Sequence, residues 1–243
     1  MKLWKSWIIA TKDFSIFWKK KRIIYSLVII PLLISIGLPL VISSVASSQD
    51  STSEIIVLLN AFSYFYVILA YILPSTLASY SILGEKIEQS LEPLLATPTT
   101  DSELLFGKTI ASFLPCVGII YIGSLIFMGL MDAITYNAVG YLFFPNWSIA
   151  FILLLAVPLS SILSIQLNVI ISSRVNDVRT ANQLGLILFI PFMGVYILLV
   201  TNAISLSVIN LFVISAILFI IDAVLFYISK ATFSRDEILT KWK

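Results

Sequence analysis

Few side chains in this sequence could take part in catalysis. The chain contains no histidine, which excludes acid–base chemistry by histidine, haem ligation by histidine and metalloproteolysis of the HExxH type. No GxSxG nucleophile elbow is present either. An aspartyl protease needs two buried carboxylates that share a proton, whereas Asp222 is the only carboxylate inside a predicted membrane span. The sequence therefore predicts no enzymatic activity for this chain alone.

The fragment FGKT at 106–109 is similar to the end of a phosphate-binding loop. The complete motif, G-x-x-x-x-G-K-[ST], follows a strand. Here Ser102 replaces the first glycine, and the fragment lies where a helix enters the membrane. The match is therefore interpreted as a coincidence. Because the single cysteine, Cys116, offers no metal cluster, we expect this chain to bind no cofactor and no metal.

Residue spacing is most informative in the connection between the second and third apolar segments. Glu85, Glu88 and Glu92 are spaced i, i+3 and i+7. If the preceding helix continues beyond the membrane, the three carboxylates form one acidic stripe. Lys and Arg side chains on a partner protein would complement such a stripe.

The same connection predicts a short helix that begins after Ser90 and stops before Pro98, since proline disfavours helix at the residue before it. Its exposed leucines are suited to a groove on another protein. Thr100 and Glu103 then form a predicted capping box that opens the next helix. The leucines of the short helix are Leu91, Leu94 and Leu95.

Apolar segments make up most of the chain. With 59% hydrophobic and 12% charged residues in 243, a water-soluble domain could not bury its apolar surface, whereas lipid solvates it. Each segment approaches or exceeds the ~18 to 20 residues that cross a bilayer. The sequence predicts an all-α integral membrane protein with six transmembrane helices. The predicted spans are 23–47, 55–83, 108–131, 148–172, 184–201 and 206–228, within a transmembrane domain at 23–228.

All fifteen Lys and Arg residues lie on the side of these segments that holds both termini. The only charged residues in the connections on the opposite side are Asp50, Glu54 and Asp132. Cytoplasmic loops retain Lys and Arg, so we predict a multi-pass plasma-membrane protein with cytoplasmic N and C termini and a cytosolic tail at 229–243. The net charge of +2 is then a topology signal, and no nucleic-acid partner is expected.

The leader at 1–22 is patterned as an amphipathic helix. Tryptophans and other apolar residues recur at spacings of three and four, while Lys5, Lys12 and Lys19 repeat every seven residues on another face. This pattern predicts an interfacial helix on the cytoplasmic membrane surface, in contact with lipid. Two roles stay open at this point: an anchor, or a lever that transmits movement of a cytosolic partner to the first span.

The second connection resembles the loop of type-2 ATP-binding-cassette (ABC) permeases. Their pattern runs E-[KR]-E-x-G-T-L-E-x-L-L-A-T-P, then a short polar run, then L-L-x-G-K. The sequence departs from it at Ile87, Gln89 and Ser90. The matching residues are Glu85, Lys86, Leu91, Glu92, Leu94, Leu95, Ala96, Thr97, Pro98, Leu104, Leu105, Gly107 and Lys108.

The resemblance implies a permease subunit of an ABC exporter that pairs with a second permease copy, identical or homologous. It also implies two separate ABC ATPase subunits, which hold ATP and magnesium. The coupling helix at 91–97, within the loop 84–108, would dock into the ATPase, and Arg174 and Arg179 would form a smaller contact. Aromatic residues such as Tyr64 and Tyr71 would lie near the interface between the permeases, as pathway lining or as ordinary packing residues.

Asp222 supports an alternative function. A carboxylate inside a span is a candidate functional group, so a stand-alone ion-coupled secondary transporter or channel would use Asp222. A structural role, paired with Lys230 or with an arginine from a loop, is the other interpretation.

Overall fold

The structure is a computed structural model, and it describes residues 3–46, 52–87, 99–175, 177–187, 189–205 and 207–232. It is 90% helical, without a strand in these ranges. The helices are α1 (Leu3–Lys19), α2 (Lys21–Ala46), α3 (Thr52–Ile87), α4 (Asp101–Val139), α5 (Trp147–Phe151), a π-helical turn (Ile152–Ala156), α6 (Val157–Arg174), α7 (Val178–Leu186), α8 (Phe189–Val200) and α9 (Val208–Thr232).

Six helical stretches are long and apolar enough to cross a membrane, as the sequence predicted. The third stretch, Ser102–Tyr136, is longer at both ends than the predicted 108–131. Its capping box fixes the early start, because Thr100 accepts the backbone N–H of Glu103 while the Glu103 side chain accepts the backbone N–H of Thr100. The fifth stretch, Val178–Val200, combines α7 and α8.

The second span, α3, is the centre of the bundle and packs against α2, α4, α6, α7 and α8. Lipid provides no hydrophobic driving force between helices, so close packing and polar contacts hold them together. On α6, Ser160 donates to the Val67 carbonyl at 3.0 Å and Ser164 donates to the Tyr71 carbonyl. These serines are small enough to let the two backbones approach.

Asn168 continues this seam between α3 and α6. Its amide nitrogen donates to Ser75 at 3.0 Å, and its amide oxygen accepts from Ser79 at 2.8 Å. Asn168 therefore makes interhelical hydrogen bonds to two residues of α3. Helix α7 also closes on this point, because a Cβ added at Gly185 would lie 2.9 Å from the Asn168 amide oxygen.

The π-helical turn lies just before Pro158. Proline has no backbone N–H, so the regular helical bond to the Leu154 carbonyl cannot form. The backbone responds with a wider turn, in which the Val157 N–H reaches the Ile152 carbonyl. The proline therefore explains the local widening of the fourth span.

Helix α1 has a buried face that its sequence pattern did not predict. Ser6, Ile9, Asp13 and Phe17 are buried within the protein, and α1 packs mainly against α4. The tryptophans point outward instead, with Trp4, Trp7 and Trp18 exposed. The helix is thus fixed to the bundle by one stripe and presents its indoles on another, while its location on a membrane surface stays a prediction.

Candidate functional site

The candidate site is the point where α1 meets the two ends of the second connection. Helix α3 enters that connection at Ile87 and α4 leaves it after the Thr100 cap. The segment between them, 88–98, is outside the described residues. Its predicted contact residues there are Glu88, Leu91, Glu92, Leu94, Leu95, Thr97 and Pro98, and the predicted coupling helix also falls in this segment.

A largely buried cluster of four charged side chains and one serine joins the three helices, and we call it the charge clamp: Lys12, Asp13, Ser81, Glu85 and Lys108. The Lys108 ammonium lies 2.6 Å from Glu85 Oε2 and 3.5 Å from Asp13 Oδ2. Lys12 approaches the other oxygen of Glu85, Oε1, at 2.7 Å. The two positive and two negative charges of the clamp therefore neutralise each other.

Ser81 completes the hydrogen bonding of the clamp. Lys108 Nζ donates to the Ser81 carbonyl at 2.8 Å and contacts its hydroxyl at 3.1 Å. The Ser81 hydroxyl in turn donates to Asp13 Oδ2. A lysine ammonium has three N–H donors. The contacts of Lys108 with α1 and α3 satisfy these donors. The position of Lys108 is thereby fixed from two neighbouring helices.

Burial makes the clamp energetically significant. The side chains of Lys108, Asp13 and Glu85 are only 1%, 2% and 6% exposed, whereas Lys12 is 42% exposed. Removing one partner of a buried ion pair costs about 3–5 kcal/mol, because an uncompensated charge is left behind. The intact pair adds little net stability, so its main effect is to specify how α1, α3 and α4 meet.

Close backbone contact supports the clamp one residue away. A Cβ at Gly107 would lie 2.7 Å from the Ser6 carbonyl oxygen and 2.9 Å from Ile9 Cβ. Only glycine lets α1 cross α4 at this distance. Leu104 and Leu105 pack beneath the crossing in a cluster with Ile9. The fragment at 106–109 therefore serves helix packing, in agreement with the view that it is no phosphate-binding loop.

The predicted exposure of Glu85 is not observed. The sequence placed it on an exposed acidic stripe facing a partner, but its side chain is buried and bound to Lys108 and Lys12. The stripe was predicted from helical spacing alone, which does not say which face the neighbouring helices cover. Any part of Glu85 in coupling is therefore indirect, through the position of the helices.

Sequence patterns did not predict Lys12, Asp13 and Ser81 as members of the site. One signal was present, because Asp13 is the only acid in the leader, among seven basic residues. An acid on a basic helix indicates a specific partner. Nothing in the sequence identified that partner as Lys108, which is 95 residues away.

The remaining predicted residues lie apart from the clamp. Arg174 ends α6 and Arg179 lies in the first turn of α7, both exposed. Asp222 is 6% exposed on α9, and its carboxylate oxygens have no hydrogen-bond partner in the described part of the chain. The side chain of Lys230, its suggested partner, is outside that part.

The two tyrosines proposed as pathway lining are both buried within this chain. Tyr71 donates its hydroxyl to the Gly185 carbonyl, and its ring lies 5.0 Å from that of Phe192. Tyr64 borders an apolar cavity of about 320 Å³ between α3, α6, α8 and α9. The contacts of Tyr71 are those of a packing residue, whereas Tyr64 faces the cavity.

These features define the class of protein: a multi-pass helical membrane protein with one long connection whose two ends contact each other. Residues 7–212 match the family described as ABC-2 family transporter protein. The chain belongs to this family. Comparison with individually curated proteins gives no significant match.

Proposed function

We propose, on the basis of its family, that this chain is the permease component of an ABC transporter and that it works with an ABC ATPase subunit. We propose that it is the permease subunit of an exporter, in which two permease copies form the pathway and two ATPase subunits bind ATP and magnesium. In this proposal the chain itself binds no cofactor. Its termini are cytoplasmic and the membrane is the plasma membrane.

The observation that carries the proposal is the charge clamp. It binds both ends of the loop 85–108 to each other, through Glu85 and Lys108, and to α1 through Lys12 and Asp13. A loop that only connects two spans needs no such attachment. A loop that receives force from an ATPase does, because force applied to it must reach α3, α4 and α1 together.

The predicted coupling helix at 91–97 supplies the direct contact in this proposal. Leu94 and Leu95 enter a groove of the ATPase, while Arg174 and Arg179 lie at the same end of the bundle and provide a second contact. The test is copurification of the ATPase with the tagged permease after Leu94→Asp/Leu95→Asp. We expect normal membrane insertion and at least a tenfold loss of ATPase.

A matched control keeps the test specific. Ile238→Asp/Leu239→Asp makes the same chemical change in the predicted cytosolic tail and is expected to leave copurification unchanged. Full retention of the ATPase by Leu94→Asp/Leu95→Asp would refute the docking role of the loop. Equal loss in both variants would show that added charge, and not the loop, disturbs the complex.

A second candidate function rests on Asp222, which is buried in a span without a hydrogen-bond partner among the described residues. An ion-coupled transporter or channel would use such a carboxylate. It predicts ion- or pH-driven flux by the purified chain alone in liposomes, abolished by Asp222→Asn. Flux that is absent, or unchanged by the substitution, removes this candidate. Family membership favours the ATPase-driven function.

A further inference from the structure

The apolar cavity of about 320 Å³ between α3, α6, α8 and α9 has no part in the charge clamp or in the docking of the loop at 91–97. Among its lining residues, Leu163, Phe192 and Leu218 are buried, whereas Pro191 and Ile217 are exposed. The exposed residues belong to α8 and α9. The cavity therefore opens sideways between these two helices, toward the surface that faces lipid.

The cavity exists because α8 and α9 pack on different helices. Helix α8 packs mainly on α3, while α9 packs mainly on α6. Two aromatic pairs fix α8 to α3, with ring centroids 5.4 Å apart for Phe65 and Tyr196 and 5.0 Å apart for Tyr71 and Phe192. A gap is left where α8 and α9 would otherwise meet, and its walls are held in place by these contacts.

The lining of the cavity selects an apolar occupant. It has no charged side chain, and the Tyr64 hydroxyl is the only polar side-chain group in its described lining. A buried water needs two to four polar partners, so water is a poor occupant here. If the space stayed empty, the lining side chains would lose contacts on one side. Hydrocarbon satisfies these side chains without requiring a hydrogen bond.

The shape of the cavity indicates a single chain. Its lining on α9 runs from Ile214 to Leu225, which is about 16 Å along a helix axis. A volume of about 320 Å³ over that length gives a mean width of about 5 Å. An α-helix with its side chains is about 10–12 Å wide, so a helix of a second copy cannot enter. An extended alkyl chain has a suitable width.

The surroundings of the cavity indicate the source of that chain. Its lining on α9 lies inside the candidate span Val208–Ser229, at the depth of the bilayer hydrocarbon. The segments 88–98 and 233–243, outside the described ranges, carry charged residues, and burial of a charge beside an uncharged lining is costly. The bilayer itself is therefore the source of the occupant.

We propose that the apolar cavity binds one acyl chain of a membrane lipid, which enters sideways between α8 and α9. Leu163, Phe192 and Leu218 surround the chain, and Ile217 and Ile221 border its entry. The bound chain fills the gap between two helices that otherwise pack on different neighbours. Binding of the chain requires neither the ATPase nor a second permease copy.

The experiment uses liposomes of phosphatidylcholine that carries a photoreactive diazirine near the middle of one acyl chain. The purified protein is reconstituted and irradiated, and mass spectrometry locates the lipid adducts. Wild type is expected to carry adducts at Tyr64, Leu163 and Leu218, which are too deeply buried for bulk lipid to reach. Adducts at the exposed residues Phe212 and Phe219 verify contact with lipid in every sample.

Two variants obstruct the cavity from opposite walls, and both should lose the deep adducts while keeping those at Phe212 and Phe219. Ile217→Trp/Ile221→Trp changes two exposed residues of the lining on α9, and Val195→Trp changes the wall on α8. Ile209→Trp/Ile220→Trp is the matched control, because both residues are exposed on α9 and neither lines the cavity. The control should keep all adducts.

Loss of the deep adducts in one or both cavity variants, with the control unchanged, supports the acyl-chain site. Wild type without deep adducts, although Phe212 and Phe219 are labelled, would overturn it. Deep adducts that persist in both cavity variants, or that disappear equally in the control, would do so as well. A photoreactive sterol is a second probe, since its rigid rings are wider than an alkyl chain. Equal labelling of Leu163 and Leu218 by the sterol would contradict a site for a single chain.

Discussion

Replacing Lys108 by methionine tests the charge clamp most directly. The substitution keeps an unbranched side chain, one atom shorter, and removes the ammonium that lies 2.6 Å from Glu85 and 3.5 Å from Asp13. Two nearly fully buried carboxylates are then left with Lys12, which contacts only Glu85 in the clamp. The cost of breaking a buried pair is about 3–5 kcal/mol. For a chain of this size we expect a fall in melting temperature of about 6 to 20 °C.

Glu85→Gln should be milder, because Lys108 keeps Asp13 and the Ser81 carbonyl as partners. We expect a loss of about 1.5–3 kcal/mol, the value of a hydrogen bond to a charged group. The double variant Lys108→Met/Glu85→Gln should lose less than the sum of the single variants. A coupling energy of about 1–3 kcal/mol is typical of residues in contact.

The chain provides its own probe for this measurement. Its single cysteine, Cys116, is fully buried on α4. A thiol-reactive fluorogenic dye therefore reports unfolding of the detergent-solubilised protein during heating, without an engineered label. Lys19→Met is the control, since Lys19 is exposed. A melting temperature for Lys108→Met within about 2 °C of that control would refute the clamp, because a fall of about 6 to 20 °C is expected. Additive effects of the two substitutions in the double variant would also refute it.

Three further predictions concern the neighbourhood of the clamp and the centre of the bundle. Gly107→Ala should destabilise the protein by about 1–3 kcal/mol through overpacking, because the new methyl group would lie 2.7 Å from the Ser6 carbonyl. Gly118→Ala on the same helix has nothing within 4 Å, so the same thermal assay should show no loss there. Asn168→Ala removes two interhelical hydrogen bonds and should cost about 1 kcal/mol, at about 0.6 per bond in a membrane. Ser173→Ala, which removes only a bond within its own helix, is its control, and an equal loss in both would argue against the seam. Spin labels at Lys5 and Arg174 in a Cys116→Ser background should change their separation when ATP and vanadate are added to the assembled complex. This change in label separation should disappear in Lys108→Met. If the separation does not change when the clamp residues are all intact, the anchor role of α1 is favoured.

Hydropathy was sufficient to predict the spans. Six apolar stretches are a property of the chain itself, and the six helices agree with them. The capping box at Thr100 and Glu103 is equally local, and its geometry is confirmed. Such features depend on residues within a few positions of each other, where spacing determines contact.

The clamp depends on packing between distant segments, and spacing could not reveal it. The spacing of Glu85 with Glu88 and Glu92 is a true helical pattern, yet α1 and α4 cover the face that holds Glu85. The leader was interpreted as having two faces, an indole face and a lysine face. Its third face, with Asp13 and Ser6, is visible only once α4 is in place beside it.

The clamp also bears on whether α1 is an anchor or a lever. An anchor needs its indoles and lysines at the membrane surface and no fixed attachment to the loop. Helix α1 instead contacts both ends of the loop, through Lys12 at Glu85 and through Asp13 at Lys108. If the loop moved while α1 stayed in place, these buried pairs would break at a cost of about 3–5 kcal/mol. Movement of the loop and α1 as one body avoids that cost, so the structure favours the lever. The same attachment explains why Gly107 stands beside Lys108, since the helices must cross closely where the charges meet.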